Sequence, residues 1–383
     1  MKKLIAVLLT LLLILSIAAC NNPDSGTPAN TDNNPSGGSS TSPDSNGSDV
    51  YELALITDLG TIDDKSFNQG SWEGVVQYAE EFGISHKYYK PADQGDDAYL
   101  NAIDLAVQSG AKIIVTPGYL FEAPIYQAQD IYPDVKFVLL DGTPNNDDWS
   151  AGSPDYKIGN NTVSVLYAEE QAGFLAGYAT VKDGYRNLGY MGGIAVPAVV
   201  RFGHGYIQGA ELAAQELGLS AGTVSINYYY TGTFTPSPEI STMATAWYSD
   251  GVEVIFSCGG GICYSIFPSA ENLDKKVIGV DVDQSDGSET VLTSAMKLLT
   301  ASVYDCLTDF YAGRFPGGEQ HIFSAANLGV GLPMDTSRFT SFTRADYDAI
   351  YTKLVSGAVK VDNNTDIAPD AIPTNIVVVN NLG

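Results

Sequence analysis

Short apolar runs alternate with longer amphipathic segments between Tyr51 and Asp283. Runs of four or five apolar residues are typical of buried strands, and the longer segments have apolar residues at helical spacing. Strand–helix alternation of this kind predicts a parallel sheet with helices on both faces. The predicted strands are Leu53–Thr57, Ile113–Thr116, Phe137–Leu140, Leu188–Met191, Val254–Ser257 and Val277–Val280, and the predicted helices include Asn68–Phe82, Ala98–Ser109, Ala168–Val181 and Gly205–Leu217.

The predicted strands tend to end in polar or glycine-bearing loops. Examples are Asp58–Gly60, Pro117–Tyr119, Asp141–Gly142, Gly259–Gly261 and Asp281. Ligands of open α/β sheets bind at the carboxyl ends of the strands, so these loops are where we expect the binding site. The glycine runs match no phosphate-binding motif.

The amino terminus has the pattern of an export signal. A positive start, Met1–Lys3, precedes the apolar run Leu4–Ala18, which is shorter than the roughly 20 residues of a membrane span. Small residues before Cys20 resemble a bacterial lipoprotein signal, which implies a signal peptide of residues 1–19 and diacylation of Cys20, palmitate being one such acyl group. The alternative is an ordinary secretory peptide with an incidental cysteine.

Residues 20–50 hold Asn, Ser, Gly, Pro, Thr and Asp with hardly an apolar side chain. Such a segment buries too little surface to offset its ordering entropy, so we expect a disordered tether. Together with a lipid on Cys20, it predicts a domain anchored to the cell membrane on the extracytoplasmic face.

The folded part, about 330 residues from Tyr51, is more than one core usually serves, and therefore predicts two lobes. The whole chain has a formal charge of −26, from 45 acidic and 19 basic residues, which disfavours nucleic acid and phosphorylated ligands. Besides Cys20, the cysteines are Cys258, Cys263 and Cys306, an odd number that is no disulfide framework, although Cys258 and Cys263 could pair. We expect no metal and no cofactor.

Five segments occur in an order and at spacings that resemble the basic membrane protein (Bmp) family: DLGTIDDKSFNQGSWEG, EEQAGFLAGYAT, LGYMGGIAVPAVVRFGHGYIQGA, VIGVDVDQS and VLTSAMKLLTASVYD. These are purine-nucleoside-binding lipoproteins that deliver their ligand to an ABC transporter permease. The resemblance implies an α/β type I periplasmic-binding-protein fold, with two Rossmann-like lobes of parallel sheet joined by three crossovers, and we expect a monomer.

We expect the crossovers near Ser164–Ala168, Val291–Ser294 and Ala326–Gly331. The first lobe would then comprise residues 51–165 plus 294–326, and the second would comprise 166–291 plus 331–383.

Asp58, Asp63 and Asp64 also resemble the calcium loop of nucleoside hydrolases. The chain departs from that pattern because Ile56 replaces an aspartate, no proline precedes Gly60, and one extra residue precedes the aspartate pair. Calcium needs several oxygens converging at about 2.4 Å, which an insertion in so short a loop disturbs. A binding role is therefore favoured over hydrolysis, with Asp63 or Asp64 capping the next helix.

The resemblance implies a set of ligand-binding residues. Phe67 and Phe202 would stack on the two faces of the base, Asp281 would accept hydrogen bonds from the ribose diol, and Lys297 would lie near the sugar. The alternatives are core positions for the two phenylalanines and a surface position for Lys297. The full predicted set is Asp58, Ser66, Phe67, Asn68, Tyr119, Phe202, Gly260, Gly261, Asp281 and Lys297.

The sequence therefore predicts a receptor, not an enzyme, that binds purine nucleosides such as inosine, guanosine or adenosine. A receptor of the same fold for another small molecule, such as a sugar, is the main alternative, because Tyr228–Tyr230 could stack on a sugar or form a strand. A calcium-dependent nucleoside hydrolase and a surface adhesin are further alternatives.

Overall fold

The computed structural model describes residues 50–383. The predicted signal peptide, Cys20 and nearly all of the predicted tether lie outside these residues. The described strands are β1 Leu53–Ile56, β2 His86–Tyr89, β3 Ile113–Pro117, β4 Lys136–Leu140, β5 Thr162–Tyr167, β6 Asn187–Gly192, β7 Val224–Tyr230, β8 Val254–Cys258, β9 Lys276–Asp281, β10 Val291–Lys297, β11 Gln320–Phe323, β12 Val330–Gly331 and β13 Val377–Asn381.

The described α-helices are α1 Phe67–Phe82, α2 Asp96–Gln108, α3 Glu122–Ile131, α4 Glu169–Lys182, α5 Pro197–Glu216, α6 Pro238–Ser249, α7 Cys263–Leu273, α8 Leu299–Tyr311 and α9 Arg344–Val355. Five single turns of 3₁₀-helix, such as Tyr119–Phe121 after β3, connect them.

Two sheets define two lobes, as the chain length predicts. The first sheet has the order β11-β5-β4-β3-β1-β2 and all its pairs are parallel. The second has the order β12-β10-β9-β8-β6-β7-β13, in which only the β10–β12 pair is antiparallel. All six predicted strands are present, as β1, β3, β4, β6, β8 and β9.

Helices cover both faces of each sheet because successive strand residues point to opposite faces. In β1, Leu53 and Leu55 pack with the core that includes Val75 of α1, whereas Ala54 and Ile56 pack with the core that includes Ile103 of α2. The same division holds in the second lobe, where α4 and α5 cover one face and α6 and α7 the other. Both faces are therefore buried, which explains the continuous apolar runs.

The second predicted crossover was placed too early. Residues 291–297 form β10, which pairs with β9 in the second sheet, so residues 294–297 belong to the second lobe. The chain leaves that lobe only after Lys297 and enters α8, which packs on α1 of the first lobe. A continuous run of buried side chains, Val291–Ala295, extends the strand past the predicted boundary.

The predicted helix Gly205–Leu217 also begins too late, because α5 starts at Pro197. Proline is favoured in the first turn of a helix, where its missing N–H has no partner to lose. The first half of α5 is buried on nearly every side, so its sequence lacks the polar face that identifies an amphipathic helix.

Candidate functional site

A cleft between the lobes lies at the carboxyl ends of the strands of both sheets. The space that it encloses is about 710 Å³ when its opening to solvent is included. The predicted residues that line it are Asp58, Phe67, Asn68, Tyr119, Phe202, Gly260, Gly261, Asp281 and Lys297. The remaining one, Ser66, lies behind this surface and donates a hydrogen bond of 2.5 Å from Oγ to Asp281 Oδ2 across the lobes.

The loop between β1 and α1 is folded around the buried carboxylate of Asp64. Asp64 Oδ1 accepts from the backbone N–H groups of Ser66 and Gln69 at 2.8 and 3.1 Å, and Oδ2 accepts from that of Asn68 at 3.2 Å. Asp64 thus satisfies the first N–H groups of α1, as a capping residue does. The expectation that Asp63 or Asp64 is the N-cap residue is wrong, because Ser66 occupies that position and Asp64 supplies the capping hydrogen bonds from two residues before it, whereas Asp63 is exposed.

The side-chain amide of Asn68 links the carboxylates of Asp58 and Asp64. Its Nδ2 donates to Asp58 Oδ1 at 2.8 Å and to Asp64 Oδ2 at 2.9 Å, while Oδ1 accepts from the Asp58 N–H. Asp58 also accepts from the Gly60 N–H at 2.7 Å. Within residues 50–383 no three His, Cys, Asp or Glu side chains form a group that could hold a metal ion.

Close packing of α4 on α5 places the second-lobe residues of the cleft. A Cβ atom at Gly173 would lie 2.0 Å from the Phe202 carbonyl oxygen, and one at Gly205 would lie 2.0 Å from that of Glu170. The absence of side chains at these glycines lets the two backbones touch. Phe202, only 1% exposed, is thereby held against Phe256 with its ring at the cleft surface.

Lys297 lies at the centre of the cleft with its side chain almost fully buried. Its amino group is 4.7 Å from the centre of the Phe67 ring and 5.2 Å from that of Phe202, so aromatic side chains of both lobes face one point. It forms an ion pair with Asp141 and lies 3.2 Å from Glu169 Oε1 and 3.6 Å from Asp281 Oδ1. The predicted cleft position of Lys297 thus replaces the alternative of a surface charge.

The pKa values of these groups follow from burial and from their neighbours. Burial raises the pKa of Asp58, against the hydrogen bonds from Gly60 and Asn68, and it raises the pKa of Asp281, against the Lys297 charge and the hydrogen bond from Ser66. Burial alone would lower the pKa of Lys297, but Asp141, Glu169 and Asp281 raise it. Lys297 is therefore a permanent cation that balances part of the acidic cleft.

The loop after β8 brings backbone to the cleft wall. Gly259 has a φ of +159° and Gly260 a φ of +50°, and a Cβ at Gly260 would lie 3.1 Å from the Phe234 carbonyl oxygen. Gly261 donates its N–H to that same carbonyl at 2.9 Å. A side chain at Gly260 would strain the loop because of this positive φ and the nearby carbonyl oxygen. Phe234 itself lines the cleft.

Sequence reasoning missed four residues of this site: Asp141, Glu169, Arg201 and Phe234. Asp141 could have been found, because it ends β4 as Asp281 ends β9, and both have a left-handed φ, of 55° and 66°. Glu169 looks like an ordinary acidic residue in the first turn of a helix, and its contacts exist only in the folded chain. Tyr228, by contrast, lies buried in β7 and is not part of the cleft lining.

The family model of Bmp, the PnrA-like ABC transporter substrate-binding proteins, matches residues 51–365. This chain belongs to the Bmp family. The resemblance drawn from the sequence motifs is thereby confirmed, and the family is one of substrate-binding proteins, not of enzymes.

Bmp relatives align with this chain over most of its length and most of their own. The ABC transporter nucleoside-binding protein BmpA of Lactococcus lactis is 27% identical, over 81% of this chain and 88% of the relative. A CD4+ T-cell-stimulating antigen of Listeria innocua is 28% identical, over 83% and 90%, and basic membrane protein A of Borreliella burgdorferi is 26% identical, over 84% and 90%.

Solved structures confirm the predicted fold. An ABC transporter solute-binding protein from Aeropyrum pernix has a TM-score of 0.70 at 22% identity, covering 82% of this chain and 94% of its own. One from Conexibacter woesei has a TM-score of 0.62 at 21% identity, covering 82% and 99%. This Bmp chain therefore has the type I periplasmic-binding-protein fold.

As a Bmp protein, the chain is an extracytoplasmic substrate-binding protein of an ABC transporter. None of the helices in residues 50–383 combines the length and the apolar character that crossing a bilayer requires. In the same part of the chain, Cys258, Cys263 and Cys306 are free and buried, so the possible Cys258–Cys263 pair is not formed.

Proposed function

We propose that this protein captures purine nucleosides, such as inosine, guanosine or adenosine, between its lobes and delivers them to an ABC transporter permease. The observation that carries the proposal is that Phe67 of the first lobe and Phe202 of the second face the same buried amino group, that of Lys297. A purine stacked between the two rings would join the lobes, since stacking a base on an aromatic ring contributes about 1–3 kcal/mol.

The polar groups of the cleft suit a nucleoside. Asp281, at the end of β9, and Asp58, after β1, both line the cleft. Asp281 would accept hydrogen bonds from vicinal ribose hydroxyls, and Asp58 would accept them from a base N–H or a hydroxyl. The surrounding carboxylates would repel a phosphate group. The Lactococcus lactis relative is a nucleoside-binding protein, which supports the same ligand class.

The test is a thermal-shift and calorimetry panel of purine nucleosides, free bases, nucleotides and sugars. A ligand that binds the native state alone raises the melting temperature by mass action. We expect nucleosides to stabilise the protein and nucleotides and sugars to leave it unchanged. Stabilisation by sugars alone would reject the nucleoside and favour the sugar receptor.

The same proposal includes a lipid anchor on Cys20. Replacing the thiol removes the atom that is acylated, so Cys20→Ser should yield a protein without lipid that is released from membranes or kept as the uncleaved precursor. Metabolic labelling with a fatty-acid analogue checks this, with Cys306→Ser, a buried cysteine of the folded domain, as the matched control. Equal labelling of Cys20→Ser and wild type would contradict the anchor.

A further inference from the structure

Two carboxylate oxygens next to Lys297 have no ordinary hydrogen-bond donor. They are Asp141 Oδ1 and Glu169 Oε1, on side chains that are 6% and 0% exposed. Glu169 Oε1 lies 3.2 Å from the Lys297 amino group, but not in the direction of a hydrogen bond. Buried carboxylate oxygens without a donor are costly, so they require an explanation.

The two side chains meet at the same amino group, because Asp141 Oδ2 forms an ion pair with Lys297 and Glu169 Oε1 lies 3.2 Å from it. Two ionised carboxylates have only acceptor atoms, so a bond between them needs one proton. We propose that Asp141 and Glu169 share a proton in the ligand-free protein, which makes the buried Lys297 cluster electrically neutral and links ligand binding to pH. Asp141 Oδ1 then donates to Glu169 Oε1, and both unpartnered oxygens are satisfied.

Arg201 decides which of the two residues holds the proton. Its Nε donates to Glu169 Oε2 at 2.6 Å, and a guanidinium stays charged at any pH of interest. Burial acts against the ionised form of Glu169, but the charges of Arg201 and Lys297 lower its pKa to about 2. Burial raises the pKa of Asp141 to about 8, more than the charge of Lys297 lowers it. The proton therefore belongs to Asp141.

The groups that face Asp141 balance only when it is neutral. Lys297 on β10 and Arg201 on α5 are cations, and Glu169 on α4 and Asp281 on β9 are anions. Tyr167 on β5 has its pKa raised by burial and stays neutral, and burial raises the pKa of Glu170 on α4, which faces Arg201, to about 7. An ionised Asp141 would add an uncompensated negative charge to a buried site, which low-polarity surroundings disfavour.

Asp141 is thus a positioning residue for Lys297. While it is protonated, its Oδ2 accepts from Lys297 and its Oδ1 donates to Glu169, so the amino group stays near both rings, at 4.7 Å from the centre of Phe67 and 5.2 Å from that of Phe202. Above about pH 8, repulsion between Asp141 and Glu169 would draw Lys297 out of this position. Ligand affinity should then fall, an effect that rests on the proposed function.

The first experiment needs no ligand. Infrared spectra of the full chain should show carboxylic-acid C=O absorption at about pH 6 that disappears by about pH 10, and the component that disappears last, near pH 8, should be missing from Asp141→Asn. Identical spectra of variant and wild type would overturn the proposal. Should Asp141→Asn fail to fold, carbon-13 NMR of wild type labelled at aspartate replaces it. An aspartate carboxyl titrating near pH 8 supports the shared proton, and titration of every aspartate below about pH 7 rejects it.

The second experiment measures adenosine affinity by calorimetry at about pH 6.5 and about pH 9.5, because the adenine base does not titrate in this range. We expect the affinity of wild type to fall about tenfold and that of Asp141→Asn to change much less. An equal loss of affinity in Asp141→Asn and wild type would overturn the proposal. If adenosine does not bind at either pH while the infrared band is present, the proposed function fails and the shared proton stands.

Discussion

At the scale of single residues, Asp281 combines two tasks. Its φ of +66° is in the left-handed region, which costs a residue other than glycine some energy and often occurs at functional sites. That conformation ends β9 and turns the carboxylate into the cleft, where Oδ2 accepts from Ser66 of the other lobe and Oδ1 lies 3.6 Å from Lys297. Asp281 therefore contacts the opposite lobe as well as the place proposed for the ribose.

The two tasks can be separated with one ligand pair. Asp281→Ala should weaken inosine binding at least tenfold, about 1.4 kcal/mol, because it removes the acceptor for the ribose diol. It should weaken 2′,3′-dideoxyinosine only as much as the control Ser66→Ala does, since that ligand lacks the diol. Phe202→Ala should weaken both ligands alike, because stacking does not sense the hydroxyls.

Calorimetry on these variants with both ligands forms a double-mutant-type cycle. If Asp281→Ala weakened the dideoxy ligand as much as inosine, and more than Ser66→Ala does, Asp281 would hold the lobes together without contacting the sugar.

Much of the candidate site could be predicted from the sequence, because residues at the ends of strands can be recognised by their position after an apolar run. Asp58 and Asp281 follow apolar runs, and ligands of open α/β sheets bind at the carboxyl ends of the strands. Glu169 and Arg201 could not be predicted, since they lie on helices of different sequence regions and meet only through the α4–α5 contact. Ser66 was assigned to the ligand but contacts Asp281, a partner that no local pattern indicates.

At the scale of elements, the α4–α5 pair controls the second-lobe wall of the cleft. Gly173 and Gly177 on α4 meet the carbonyl oxygens of Phe202 and Tyr206 on α5, where an added Cβ would lie 2.0 and 2.1 Å from them. Gly205 and Gly209 on α5 approach carbonyl oxygens of α4 in the same way. The four-residue spacing of both pairs puts the glycines on one face of each helix.

Gly173→Ala should therefore destabilise the protein by about 1–3 kcal/mol, the usual effect of overpacking, although alanine is the better helix former. It should also weaken ligand binding, because the helix shift that relieves the clash moves Phe202. Urea unfolding and calorimetry measure the two effects.

Glu80→Ala, at an exposed position of α1, is the control for helix propensity and should change neither property. Unchanged stability of Gly173→Ala would mean that the two helices can separate without loss.

The element boundaries show why sequence prediction fails locally. The six strands of the open α/β pattern could be predicted because both faces are buried and the runs are continuously apolar. The early start of α5 and the full length of β10 could not, because buried residues such as Val199 and Ala295 carry no periodic signal.

At the scale of the whole molecule, hydrogen bonds across the cleft hold the lobes together. Gln284 Nε2 donates to the Lys65 carbonyl at 2.7 Å, and the Tyr264 hydroxyl donates to the Asp63 carbonyl at 3.2 Å. With the Ser66–Asp281 bond, all three involve the loop that leads into α1. Because Phe67 follows directly, this loop couples the position of the aromatic ring to closure.

The large negative charge and the buried acids predict stability that falls as pH rises. Burial raises the pKa of Asp64 to about 6 and those of Glu122 and Glu170 to about 7. In the unfolded chain such groups ionise near pH 4, so between about pH 4 and 7 the native state binds more protons and each unit of pH costs stability. Repulsion among the exposed acidic residues of a chain with a formal charge of −26 acts in the same direction.

Salt separates the two causes, because it screens exposed charges far more than buried ones. We expect a higher melting temperature at about pH 5 than at about pH 8, with part of the difference remaining in about 1 M salt. Glu170→Gln should reduce that remaining part, since Oε2 of Glu170 has no hydrogen-bond partner to lose, whereas the exposed control Glu80→Gln should not. A pH effect that disappears entirely in high salt would assign it to surface repulsion and not to the acids of the interior.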